Sequence, residues 1–156
     1  MSKFNLSMNR QGNQMQLQLT GVIDEDVDFT HHGLQNAQQI EVDLINVKSI
    51  NSCGIREWIK WLSSAKEAKI SFKQCPKVIV DQMNMVDGFL PTNGFVESFF
   101  VPYYSDATGE EKNVLFRNGI EFNQQGSVQA PTIQDSKGTE MEMDVIESKY
   151  FKFIKK

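Results

Sequence analysis

The sequence has few basic residues and no long apolar run, and each shortage argues against a class of protein. It carries 16 Lys and Arg against 20 Asp and Glu, a net charge of −4, whereas nucleic-acid-binding proteins present a basic patch. No stretch approaches the roughly 18 apolar residues of a membrane helix. Residues 1–5 lack the apolar core of a signal peptide. We therefore expect no binding to nucleic acid, no membrane insertion and a cytoplasmic location.

Cysteine is also scarce, since Cys53 and Cys75 are the only two in the chain. The two could pair in principle, but nothing in the composition indicates an oxidising compartment. Because Cys53 opens a predicted helix and Cys75 closes a predicted strand, we expect both thiols to be reduced.

Apolar residues, by contrast, are plentiful enough for a folded core. Hydrophobic residues make up 40% of the 156, and 11 of them are Phe. This composition excludes a disordered chain and fits one domain, or one domain with a small appendage.

Alternating and helical patterns follow one another through residues 1–101. A turn at 10–13 separates the first two of the predicted strands, which lie at 4–8, 14–22, 40–45, 69–73 and 95–101. Helical periodicity predicts helices at 26–38, at 53–68 and after Pro76. This order predicts an α/β (α+β) fold, in which a mixed sheet packs on helices lying on one face.

The turn Asn51-Ser52-Cys53-Gly54 lies between an apolar strand and the amphipathic helix at 53–68. It therefore stands at a helix N-terminus, where unpaired backbone N–H groups await an acceptor. Such a position suits a local cap by Asn51 or Ser52, with Cys53 as a small buried residue, or an incoming phosphoryl group.

Asp43-Leu44 at the end of the strand, followed by Asn51-Ser52-Cys53-Gly54, resembles the STAS domain of sulphate transporters and anti-sigma-factor antagonists. In that family a strand ends in Asp-Leu, and Asp-Ser-Ser/Thr-Gly opens the next helix. The resemblance covers residues 1–101 and implies a STAS-like sheet followed by an extension at 102–156. Cys53 stands where the antagonists carry the phosphorylated hydroxyl, and Ser52 keeps a hydroxyl one position earlier.

The resemblance implies a non-enzymatic module that docks an anti-sigma factor or a related kinase-like protein. It places the partner surface on the helix-opening turn and the adjacent helix, at Asn51, Ser52, Cys53, Gly54, Arg56, Lys60 and Trp61, with Ser52 as the candidate phosphorylation site. Trp61 flanks the apolar stripe, so it could be half exposed at the interface or, like Trp58, part of the core. The alternative function is a constitutive structural subunit of a sensory or transport assembly, without a phosphorylation switch. The chain could also form a homodimer.

The tail, residues 102–156, is predicted to contain a β-hairpin around a polar tip. Ser105-Asp106-Ala107-Thr108-Gly109 and Thr132-Ile133-Gln134-Asp135 resemble the two knuckles of a zinc ribbon that has lost its cysteines. An ordinary hairpin extension explains the same pattern. Because zinc requires thiolate or imidazole ligands, we expect no metal on either interpretation.

Catalytic patterns are sparse. A dyad of Cys53 with His31 or His32 would make a nucleophile, but no third orienting group or oxyanion-hole motif accompanies it. The acidic run at 24–28 does not match a calcium loop. We therefore expect neither an enzyme nor a bound cofactor.

Overall fold

Two sheets and three α-helices make up the part of the chain that the computed structural model describes, residues 3–30 and 32–154. In chain order the elements are β1 (Asn5–Gln11), β2 (Gln14–Ile23), β3 (Gln39–Ile50), α1 (Ser52–Ser63), β4 (Lys69–Lys73), α2 (Lys77–Met85), β5 (Gly94–Val96), β6 (Ser98–Tyr104), β7 (Glu111–Arg117), β8 (Glu142–Met143), α3 (Glu147–Tyr150) and a 3-10 turn (Lys152–Ile154). The predicted α+β class is confirmed. None of the described helices is long and apolar enough to cross a bilayer.

The first sheet is mixed, with strand order β1-β2-β3-β4-β5. β1 runs antiparallel to β2, and β2 to β5 run parallel to one another. Alternation in β2 buries Leu17 and Leu19 while Gln16 and Gln18 stay exposed. α1 packs on the apolar face, where the ring of Trp58 lies 5.7 Å from that of Phe72 in β4. The period-2 patterns therefore determine which face of the sheet is buried.

The helix predicted at 26–38 is wrong, because the described residues of this segment form turns and irregular chain. The carboxylates of Asp24 and Asp28 accept hydrogen bonds from the backbone N–H groups of Asp26 and Thr30, at 3.0 and 2.9 Å. Such Asx turns compete with helix formation. Asn36 also adopts a left-handed φ of 65°. His31 lies outside the described residues.

The strand predicted at 95–101 is two strands in different sheets. β5 pairs with β4 in the first sheet, and β6 pairs with β7 and β8 in the second. Glu97 lies between them, and its N–H donates to the Phe72 carbonyl at 2.7 Å. The domain boundary drawn at residue 101 falls inside β6.

The second sheet, in order β7-β6-β8, shares its core with the first. Phe99 of β6 is surrounded by aromatic rings at 5.0–6.2 Å, those of Phe116, Phe122, Tyr150, Phe151 and Phe153. Asn84 of α2 fastens the chain end, because its amide donates to the Tyr150 carbonyl at 2.9 Å and accepts from the Phe153 N–H at 2.8 Å. The tail is therefore packed onto α2 and β6.

Candidate functional site

Asn51 caps α1. Its backbone is extended, and its side-chain oxygen accepts a hydrogen bond from the Gly54 N–H at 2.9 Å. Its own N–H donates to the Ile23 carbonyl at 3.1 Å, and its amide nitrogen lies 3.3 Å from the Glu25 carboxylate. Of the two predicted capping residues, the structure selects Asn51. The turn is thereby tied to the end of β2.

Gly54 lets α1 approach β2 closely. A Cβ atom built at this position would lie 2.1 Å from the Ile23 carbonyl oxygen, far inside a van der Waals contact. Gly54 is buried, so it supports the surface from beneath rather than contacting a partner.

Ser52 is the first residue of α1 and is exposed. Within the part of the chain that is described, its hydroxyl makes no hydrogen bond. Because the Gly54 N–H is taken by the cap, the N–H groups of Ser52 and Cys53 are the ones that α1 leaves without an intrahelical partner. The hydroxyl and these donors point to the same exposed helix end.

Cys53 is half-buried beside a cation. The Arg56 guanidinium lies 3.6 Å from its Sγ atom, one helical turn further along. No hydrogen bond joins the thiol to His32 within the described chain, and His31 lies outside it. Cys75 is fully buried, and burial raises the pKa of its thiol.

Arg56 and Lys60 continue the exposed stripe that Ser52 begins, at intervals of four residues. The Lys60 side chain is 70% exposed, and its ammonium lies 3.7 Å from the Glu57 carboxylate. A pair as exposed as this contributes little to stability, so Lys60 is available to an acidic group of another molecule. Arg56 is also exposed and is available in the same way.

Trp61 does not belong to this surface, which corrects its predicted place in the interface. It is only 6% exposed. Its ring stacks on Phe29 at 4.4 Å between centroids, and its indole N–H donates to the His32 carbonyl at 2.9 Å. Because 26–38 was expected to be a helix, the contact of Phe29 with this ring was not predicted.

Two turns in the tail face each other, although the second one lies further along the chain than predicted. The first is closed by a hydrogen bond from the Gly109 N–H to the Ser105 carbonyl, at 2.8 Å. The second spans 135–139 rather than 132–135, since one oxygen of the Asp135 carboxylate accepts from the N–H groups of Lys137 and Thr139, both at 2.9 Å.

A buried hydrogen bond links the two turns. The Ser105 hydroxyl donates to the second oxygen of Asp135 at 2.6 Å, and both residues are buried. This bond holds the pKa of Asp135 below its usual range. Among the described residues, no group of three or more His, Cys, Asp or Glu is arranged to hold a metal ion. Sequence reasoning missed this pair, because a serine and an aspartate 30 residues apart carry no pairing signal.

Comparisons of the chain with models of protein families, with curated proteins and with solved structures find no match.

Proposed function

We propose that this chain is a non-enzymatic protein-interaction module of the anti-sigma-factor-antagonist type. Its docking site is the α1 surface, defined as Asn51, Ser52, Cys53, Arg56 and Lys60. The observation that carries the proposal is the exposed Ser52 hydroxyl, which has no hydrogen bond among the described residues, at a capped helix start beside two exposed cations. The resemblance of the turn to the STAS motif supports the same assignment.

The electrostatics of the α1 surface favour an acidic or phosphorylated group. Two unpaired N–H groups and the helix dipole attract negative charge at the start of α1. Arg56 follows Ser52 by four residues, the spacing at which helical side chains meet. A phosphate on Ser52 would find its counter-ion there, and it would add up to about two negative charges to the docking surface.

Cys53 favours a second candidate function, that of a constitutive subunit of a sensory or transport assembly. It occupies the position at which the antagonists carry their phosphorylated hydroxyl, and a thiol is not an ordinary substrate of a serine kinase. In this role the same α1 surface binds its partner permanently.

The proposal places the protein in the cytoplasm, with an anti-sigma factor or a related kinase-like protein as its partner. Cys53 and Cys75 are free thiols, which fits a reducing compartment. The proposed role requires no metal, no cofactor and no catalytic residue.

The decisive experiment begins with affinity capture from native cells and identification of the bound protein. The partner is then titrated at fixed salt against the wild type, Ser52→Asp and Lys60→Glu. We expect both variants to bind more weakly, because each adds negative charge to the α1 surface or removes positive charge from it. Mass spectrometry of the native protein for a phosphate on Ser52 separates the switched role from the constitutive one.

Gln14→Glu is the matched control. Gln14 is exposed on β2 and lies on the face of the first sheet opposite to the buried Met15, so the added charge lies away from the α1 surface. The affinity of this variant for the partner should equal that of the wild type. Unchanged affinity in both Ser52→Asp and Lys60→Glu would place the interface elsewhere, with the C-terminal extension as the next surface to test.

A further inference from the structure

β1 is an edge strand with an uncovered side. Among the strands of the described residues, it stands first in the order and pairs only with β2. Its seven residues are in continuous register from Asn5 opposite Thr20 to Gln11 opposite Gln14, without a bulge. The described backbone makes no other hydrogen bond to residues 5–11. A row of backbone donors and acceptors is therefore available along this edge.

The turn between β1 and β2 identifies which residues carry those groups. Gly12 has a φ of +62° and Asn13 does not share the positive φ, which makes this a two-residue hairpin turn with glycine first. Gln11 and Gln14 then form the hydrogen-bonded pair that closes the hairpin, and pairs alternate from there. The outward N–H and C=O groups consequently belong to Leu6, Met8 and Arg10.

β1 has few of the devices that usually protect an edge, since it has no proline, no bulge and a single charged residue. That residue, Arg10, is turned back onto its own chain, where its guanidinium donates to the carbonyls of Gly12 and Gln35, both at 3.0 Å. By contrast, β7, at the edge of the second sheet, carries Glu111, Lys112 and Arg117. Charges of this kind oppose edge-to-edge pairing.

Met8 adds an apolar contact at the centre of the strand. It lies opposite the buried Leu17, yet it is itself 39% exposed. Its side chain therefore lies on the core-facing side of the sheet, at the point where the covering layer stops.

We propose that β1 is a homodimerisation edge, at which two copies of the chain pair antiparallel about a two-fold axis through Met8. The strand is self-complementary in this register. Met8 meets Met8 of the second copy, Leu6 lies opposite Arg10, and Ser7 lies opposite Asn9. No like charges face each other, and about six backbone hydrogen bonds form, two for each hydrogen-bonded pair.

The two first sheets join into one sheet of ten strands. β3, the strand that leads into α1, lies two strands away from β1, which is roughly 10 Å across the sheet. The dimer therefore displays two copies of that surface, and the inference does not depend on the proposed function.

Cysteine cross-linking tests the register. In a Cys53→Ser background, Met8→Cys places two thiols opposite each other with a Cα separation of about 5.5 Å, which a disulfide spans. Ser7→Cys is the matched control. Ser7 lies on the opposite face of the sheet from Met8, and the Ser7 residues of the two copies are diagonal neighbours about 7–8 Å apart. We expect oxidation to convert most of the Met8→Cys protein, and little of the Ser7→Cys protein, to a covalent dimer. Equal cross-linking of the two variants, or none in either, overturns the proposal.

Sedimentation equilibrium over a wide concentration range tests the association itself, because an interface this small is typical of a weak dimer. Wild type should dimerise as its concentration rises. Met8→Lys should remain monomeric, because the two-fold axis would place the introduced ammonium groups of the two copies next to each other. Met85→Lys alters a more exposed methionine, 71% exposed on α2, and should dimerise normally. A wild type that stays monomeric, or equal behaviour of the two variants, contradicts the proposal; circular dichroism confirms that each is folded.

Discussion

The turn that opens α1 and the paired turns of the tail use the same chemistry for different ends. In each, a polar side chain accepts hydrogen bonds from backbone N–H groups: Asn51 from Gly54, and Asp135 from Lys137 and Thr139. In the tail, the second oxygen of Asp135 also has a partner within the chain, because it accepts a buried hydrogen bond from the Ser105 hydroxyl. At α1 the Ser52 hydroxyl remains exposed. A turn that satisfies all its polar groups stabilises the fold, whereas one that leaves some exposed can bind another molecule.

The largest effect is expected from Gly54→Ala, which adds a methyl group at the buried side of the α1 turn. The new methyl group would overlap the Ile23 carbonyl, so the start of α1 must move away from β2. We expect a loss of about 3 kcal/mol in the free energy of unfolding, the range of overpacked sites. Denaturant unfolding measures it, with Ser63→Ala on the same helix as control. A loss as small as that of the control would show that α1 shifts freely.

Ser105→Ala should break the link between the tail turns at a smaller cost. It removes the hydroxyl that donates to Asp135 and leaves one buried carboxylate oxygen without its donor. We expect a loss of about 2 kcal/mol, typical of a buried hydrogen bond to a charged group. Ser127→Ala, at an exposed serine of the tail, should cost almost nothing. Equal losses in the two variants would mean that the link does not stabilise the tail.

Asn51→Ala and Ser52→Ala sharpen the contrast within the α1 turn itself. Loss of the cap should cost about 1 kcal/mol. Ser52→Ala should cost less, because its hydroxyl makes no hydrogen bond within the described chain. Thermal unfolding of the two variants in parallel gives the comparison. The opposite order would assign the cap to Ser52.

Acid should act on the tail more than on α1. Hydrogen bonds from the Ser105 and Ser136 hydroxyls hold the pKa values of Asp135 and Glu110 below their usual range. A depressed folded-state pKa contributes stability that is fully present above the unfolded value, near pH 4, and is lost as the pH falls through the folded value. Unfolding midpoints measured from pH 7 down to pH 2 should therefore fall less steeply for Asp135→Asn than for wild type. Parallel curves would contradict the assignment.

Local patterns in the sequence predicted most of the first sheet, because burial on one face imposes a period of two in a strand and of about 3.6 in a helix. β2, β4 and α2 lie close to their predicted places. β3 runs on to Ile50, beyond its predicted end at residue 45, and α1 ends at Ser63 rather than 68. A cap at the start of α1 was also predicted, since it depends on residues only three apart, and the structure decided that Asn51 rather than Ser52 forms it.

Only the tertiary structure decided the features that join distant parts of the chain. It divided 95–101 between two sheets, placed Phe29 over Trp61 and brought Ser105 to Asp135. None of these contacts leaves a mark in a short window of sequence, because each depends on how separate elements pack. By itself the sequence determined the approximate positions of β1 to β4, of α1 and of α2, and the presence of a cap at the start of α1. Packing decided which of the predicted surface residues remain exposed, since a side chain is accessible only where no other element covers it.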